Sequence, residues 1–482
     1  MSFQSYAFLL LFLPLVTAGW WLLNRRVSGG AARGFLLAAC LVFYGSVSRP
    51  CLLILLGSAL VNFALGRLLL SGRGPRRLWL AVAVAANLGT LGYFKYVNFF
   101  LDNVNLLFST GLSHRAVLLP LGISFFTFQQ IAYLADLYRG EDRPVYSLPD
   151  YLLFVSFFPC VTAGPIAWHH EVIPQLRRPQ GPIREGLAEG VVLLSTGLAK
   201  KVLLADVFGK AADWGFGGDG AMNSLTALAV ALAYTFQLYF DFSGYTDMAR
   251  GAARMLGVRL PENFTSPYKA LSISGFWKSW HMTMTRFFTR YLYIPLGGSR
   301  GSTARTCRNI MIVFLLSGLW HGADWTFVVW GGLHGAAMVL DRLAGSRRDK
   351  LHPALGWGLT FAYVTFCWIF FRAESLSQGL SMCKAIARCD LGPLAGGFTQ
   401  CFLTPELSWL TRLLSLSADR TALLACLGFF LLAFLLCLQG RTASERLKGR
   451  ALGTGAGLWY GFLSFWALIS MTGITQFLYA NF

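Results

Sequence analysis

Residues 421–440 read TALLACLGFFLLAFLLCLQG, twenty positions without one charged side chain. As a helix at ~1.5 Å per residue, a run of this length crosses the ~30 Å hydrocarbon layer of a bilayer. The apolar residues are continuous. A barrel strand would show about ten residues alternating apolar and polar, so a β-barrel is excluded. With no water in the bilayer core to satisfy open backbone groups, the segment has to be helical. Comparable runs occupy 6–23, 34–47 with 51–66, 78–98, 117–135, 150–167, 189–208, 223–243, 308–322, 325–342, 356–372 and 456–474. The expected fold is therefore all-α, a polytopic transmembrane helical bundle of about ten to twelve spans.

Composition agrees. Of 482 residues, 55% are hydrophobic and 13% charged, about half the ~25% charged share of a soluble chain. The expectation is one membrane domain over 1–482. Net charge is +19, but the basic residues cluster between apolar runs: Arg25 and Arg26; Arg73, Arg76 and Arg77; Arg177 and Arg178; Arg347, Arg348 and Lys350; Arg446, Lys448 and Arg450. That is the pattern of cytoplasmic loops facing anionic membrane lipids, not of nucleic-acid binding. Arg25 and Arg26 place the first loop inside the cell and the N-terminus outside. No basic region precedes the first apolar run, so it reads as a retained span and not as a cleaved leader. The 10 cysteines form no C-x-x-C pair, and neither a disulfide framework nor a metal site is expected.

Two stretches break the pattern. Residues 244–307 are rich in Gly, Pro, Trp, Arg and Lys without a clean apolar run. Irregular backbone at membrane depth survives only when buried in protein or lining a cavity, so this stretch reads as re-entrant and interfacial helices around a chamber. Residues 379–420 read as a loop or surface helix.

Ionisable groups inside apolar segments are costly and mark function. His281 stands in FWKSWH, His321 in SGLWHGADW and His334 in WGGLHG. Asp324, three residues after His321, is placed to orient that imidazole. His334, between Gly332 and Gly335, also suits helix packing. In YTFQLYFDFSGYTDMAR (234–250), Asp241 and Asp247 fall on different helical faces, and Ser243–Gly244 reads as a break. Asp241 is expected to cap a broken helix or pair with a basic residue. GGSRG (297–301) matches a nucleophile elbow around Ser299 but lacks the strand such an elbow needs. GFGGDG (215–220) matches a dinucleotide fingerprint without a βαβ unit around it.

The ordered motifs LGYFKYVNFF (91–100), LPLGISFFTFQQIAYLADLYRG (119–140), FFPCVTAGPI (157–166), QLYFDFSGYTDMA (237–249), ENFTSPY (262–268), FWKSWH (276–281), YLYIPLGGSR (291–300) and GLWHGADWTFVVWGGLHG (318–335) resemble the membrane-bound O-acyltransferase family, within it the bacterial alginate O-acetylase type. Cys160, Lys278–Ser279 and Thr289–Arg290 depart from the usual residues of these motifs. The resemblance implies a catalytic core over about 90–340, with 341–482 as peripheral helices. It implies an enzyme of the bacterial inner membrane that takes an acyl group, acetyl in the alginate type, from a cytoplasmic thioester. Acetyl-CoA or an acyl carrier protein would be the donor substrate, with no bound cofactor. The acceptor would be an exopolysaccharide hydroxyl or a periplasmic acetyltransferase partner. The catalytic histidine maps onto His321 and the second family position onto His281.

On that reading His321 removes the acceptor's proton as its oxygen attacks the thioester. His281 orients the donor or stabilises the oxyanion. Lys278, Arg286, Arg290 and Arg300 are candidates to hold donor phosphates or carrier carboxylates. D-alanyl or other acyl transfer to teichoic acid, peptidoglycan or lipid is the alternative within the class. A transporter or flippase without chemistry is the alternative outside it.

Overall fold

The computed structural model describes residues 1–72, 74–140, 145–179, 183–218, 222–345, 351–408, 415–447, 453–471 and 477–478. All regular structure among the described residues is helical. Among the described residues, six helices are long and apolar enough to cross a membrane: Ala7–Arg26, Arg49–Ser71, Arg76–Phe108, Ser224–Met255, Pro353–Arg372 and Ala418–Leu438. Gly29–Gly45 and Thr454–Ile469 are shorter apolar helices. Arg73, Arg347, Arg348, Lys350, Lys448 and Arg450, and the end of the GFGGDG match, lie outside the described residues.

The chain divides into two compact units. The first takes Met1–Ser195 and Tyr245–Glu262. Its helix Arg49–Ser71 starts where Ser48 Oγ accepts the Cys51 N–H at 3.4 Å and Pro50 occupies the first turn, and it stops at Gly72 with φ 68°. These are the usual N-cap and left-handed C-terminal signals. Asn62 and Asn87 join this helix to Arg76–Leu91 by reciprocal amide hydrogen bonds of 3.2 and 2.5 Å, a polar clasp between otherwise apolar surfaces. The run 117–135 is helical only from Ile123. Gly122 before it has φ 71°, and a Cβ there would stand 1.9 Å from the Val161 carbonyl oxygen. The run 150–167 divides at Phe157 and Pro159 into two short helices, Leu148–Ser156 and Phe158–Val161.

The second unit takes Thr196–Gly244 and Asn263–Leu478. Ser224–Met255 is one unbroken helix of 32 residues, so the break expected at Ser243–Gly244 is absent. Glycine at 244 serves close packing instead, since a Cβ there would lie 2.8 Å from the Gly197 carbonyl oxygen. After residue 262 the backbone becomes irregular as expected, with short helices at Ile273–Trp277 and Met282–Phe288. Thr303–His321 and Trp325–Ala344 then form a tight helical hairpin. Gly318 and Gly331 face each other in it, and a Cβ on either would stand 2.3–2.4 Å from a carbonyl oxygen of the opposite helix. This small-residue contact fixes the depth at which His321 ends its helix. In the 379–420 stretch, helices Leu376–Ala387 and Gly396–Gln400 are described; 409–414 are not.

Candidate functional site

His281 connects two short helices. Ile273–Trp277 begins at Ser272, whose Oγ accepts the Gly275 N–H at 3.1 Å. At His281 the chain adopts φ 43°, ψ 51°. A side chain in this left-handed region costs roughly 1–2 kcal/mol and persists only where surrounding bonds hold it. Asn263 supplies those bonds. Its Oδ1 accepts His281 Nδ1 at 3.1 Å, the Thr283 N–H at 3.2 Å and the Thr283 hydroxyl at 3.0 Å. Its backbone carbonyl accepts the Met282 N–H at 3.0 Å. An oxygen taking three donors is the carbonyl end of the amide, so Nδ1 of His281 carries the hydrogen and Nε2 the lone pair. His281 lies outside the six apolar spans, and burial lowers its pKa from the ordinary imidazole value, which keeps the ring neutral.

His321 is the last residue of its helix. Gly322 follows in extended conformation, and the Phe327 ring fills the space a Cβ on Gly322 would need, 2.1 Å away. The imidazole is walled by Trp320 at 4.9 Å, Trp330 at 5.0 Å and Phe371 at 5.2 Å between ring centroids. Phe242 stands edge-on to His281 at 4.8 Å. Within this aromatic box the centroids of His281 and His321 are 6.3 Å apart, and both residues are buried.

The other expected residues sort by geometry. His334 joins the wall: its Nδ1 accepts Trp277 Nε1–H at 3.2 Å, and its ring lies 5.0 Å from the Trp330 ring that touches His321. Asp324 is the N-cap of Trp325–Ala344, its Oδ1 accepting the Thr326 N–H at 2.8 Å. Asp241 pairs with Lys201 at 2.6 Å, and Lys201 also meets Asp206 at 2.9 Å. Asp241 thus takes the pairing role and not the capping one. Lys278 and Arg300 are exposed, while Arg286 and Arg290 are half-buried. Ser299 is exposed on a turn with no strand before it.

Asn263, Phe242, Phe371 and Lys201 were not singled out in the sequence, although ENFTSPY contains the first. Lys201 carried a visible signal, a lysine inside the apolar run 189–208. In the first unit Asp136, His169 and His170 come together with ligand-type atoms within 4.8 Å of one another. There Tyr146 Oη lies 3.0 Å from His169 Nδ1, and Asp136 Oδ2 lies 3.4 Å from its Nε2.

Residues 85–376 match the membrane-bound O-acyltransferase family. The peptidoglycan O-acetyltransferase of Helicobacter pylori is 38% identical over 439 residues, 84% of this chain and 82% of that one. The protein named probable alginate O-acetylase in Pseudomonas aeruginosa is 39% identical over 399 residues, 80% of this chain and 75% of that one. The teichoic acid D-alanyltransferase of Bacillus subtilis is 26% identical over 280 residues, 53% of this chain and 69% of that one. The linked motifs and these matches agree: the chain belongs to the membrane-bound O-acyltransferase family and is a multi-pass membrane enzyme that transfers an acyl group to a hydroxyl.

Proposed function

We propose that the transferred group is acetyl, carried from a cytoplasmic thioester, acetyl-CoA or an acyl carrier protein, to a hydroxyl of a cell-surface polysaccharide or of a periplasmic acetyltransferase that relays it. The enzyme sits in the bacterial inner membrane with its N-terminus outside. The observation that carries the chemistry is the His281–His321 pair, 6.3 Å between ring centroids inside an indole-lined box. Two imidazoles at that spacing flank a reacting carbonyl. One nitrogen takes the acceptor's proton while the acceptor oxygen bonds to the thioester carbon. The tetrahedral intermediate then expels the thiolate, which leaves with a proton. His321 is the general base in this scheme. His281, with its lone pair on Nε2, receives a hydrogen bond in the neutral ring, so it orients the acceptor hydroxyl or a protonated donor group. Stabilising an oxyanion would require it to be protonated, which its burial opposes. The two relatives cited above at 38% and 39% identity are both named for O-acetyl transfer, which supports acetyl over D-alanyl.

The test is release of free thiol from acetyl-CoA by the purified full chain in detergent, with polysaccharide or peptidoglycan fragments as acceptor. His321→Ala should lower turnover by about 10²–10⁴-fold, the usual worth of a general base, while the protein elutes and melts like the parent. An unchanged rate in that variant overturns the assignment. Label transfer from a D-alanyl carrier instead of acetyl-CoA selects the teichoic-acid chemistry.

A further inference from the structure

A groove of about 710 Å³ runs within the second unit, and neither His281 nor His321 lines it. One wall is a stripe of Ala418–Leu438 in which Leu424, Gly428, Leu432 and Leu436 recur every fourth residue. Trp459 and Trp466 of Thr454–Ile469 line it too, as do Leu203 and Val207. From Thr421 to Leu436 the stripe rises about 24 Å, more than the ~15 Å of one leaflet's hydrocarbon, half of the ~30 Å core. The two ends differ in charge. Where Ala418–Leu438 finishes, the mouth is lined by Lys200, Arg441 and Arg446. The nearby Lys269 ammonium bonds the Gly440 carbonyl at 3.0 Å. Glu445, in the same turn, is directed to the Thr442 N–H at 2.8 Å. At the other end Glu406 is held by the Ser470 hydroxyl at 2.5 Å, and Lys210 lines the wall beside it. Asp206 also lines the groove and is paired with Lys201.

An apolar channel longer than a leaflet, opening on three cations, matches one chemistry: a hydrocarbon chain joined to a phosphate. We propose that this groove is a binding site for an anionic membrane phospholipid, one acyl chain lying along Ala418–Leu438 and the phosphate held by Lys200, Arg441 and Arg446. Gly428 opens the channel for the chain, since a Cβ there meets no atom within 4 Å. The site takes no part in the acyl-transfer scheme above and stands or falls separately from it.

Gly428 also supplies the test. Gly428→Phe would put a ring into the channel from a position where a Cβ meets no atom within 4 Å, and Arg441→Glu with Arg446→Glu would reverse the mouth. Native mass spectrometry of the detergent-purified full chain, titrated with phosphatidylglycerol or phosphatidylcholine, reads the occupancy. The parent should retain one phosphatidylglycerol per chain in preference to phosphatidylcholine. Gly428→Phe should lose it. The double reversal should weaken the anionic lipid by roughly 30-fold, from the ~1 kcal/mol that each basic residue contributes near a lipid headgroup. Equal retention by Gly428→Phe and the parent, or no preference between the two headgroups, overturns the proposal. So does occupancy by coenzyme A or inorganic phosphate alone that excludes phosphatidylglycerol. Elution volume and helical circular dichroism confirm folding. If Gly428→Phe fails to fold, the charge-reversal arm decides.

Discussion

Asn263 concentrates three hydrogen bonds on one oxygen, two from Thr283 and one from His281, and together they brace His281 in a left-handed conformation. Two functions therefore meet at one position, a backbone turn and an imidazole, and substitutions can separate them. His281→Asn keeps a side chain that tolerates the left-handed region, so folding should survive while turnover falls. His281→Val puts a β-branched residue there and should add about 1–2 kcal/mol of destabilisation, seen as a lower melting temperature than for His281→Asn. Equal melting of the two variants would remove strain from the account. Asn263→Ala should leave the imidazole in place but unfixed, lowering kcat by about 10- to 100-fold, the scale set by small misplacements of a reacting group. A change in KM alone, with kcat intact, would make Asn263 a binding residue and not a positioning one.

Between elements, the informative contact is the lysine inside an apolar helix. Lys201 and Asp241 are both buried, at 2% and 1% exposure, and meet at 2.6 Å; the Leu478 N–H also donates to Asp241 at 3.0 Å. Removing one partner leaves the other charge stranded, so Lys201→Ala should cost about 3–5 kcal/mol. Replacing both, Lys201→Met with Asp241→Leu, takes Lys201 only from the partly exposed Asp206 and should recover most of that loss, because paired burial of charge is seldom more favourable than apolar packing. Thermal unfolding in detergent compares the three proteins, and a double variant no better than the single one would give the pair a role beyond mutual neutralisation. Lys201 was legible in principle, since the rule that flagged His281 and His321 applies equally to a lysine in an apolar run. Gly244 was misread for the opposite reason: glycine marks both helix breaks and helix–helix contacts, and sequence spacing does not separate them. The Gly197 carbonyl 2.8 Å from its would-be Cβ does.

At the scale of the molecule, most apolar runs read directly as helices because bilayer thickness sets their length and backbone desolvation sets their type; 117–135, helical only from Ile123, and 150–167, split into two short helices, do not. Thr303–His321 and Trp325–Ala344 follow the runs 308–322 and 325–342 within a few residues. What the runs left hidden was the wall of the site. Phe242 and Phe371 sit in apolar helices where nothing in their own spacing distinguishes a ring against an imidazole from a ring against its neighbours. Orientation was the other global reading. It rests on the first four helices, Ala7–Arg26, Gly29–Gly45, Arg49–Ser71 and Arg76–Phe108. If each crosses once, the turns at 27–28 and 72–75 share a side, and those at 46–48 and 109–118 share the other. Arg25, Arg26, Arg67, Arg76 and Arg77 all border the first pair of turns, and on the proposed orientation that pair faces the cytoplasm. Single cysteines placed at Ser28, Ser46, Gly72 and Ser109 in a chain whose ten natural cysteines are replaced should divide in labelling of intact cells. A membrane-impermeant maleimide should reach positions 46 and 109 but reach 28 and 72 only after lysis. Labelling of 28 and 46 from the same side would mean that Gly29–Gly45, seventeen residues long and so at the short limit of about 17–25 for a span, does not cross. The orientation of every later helix would then invert.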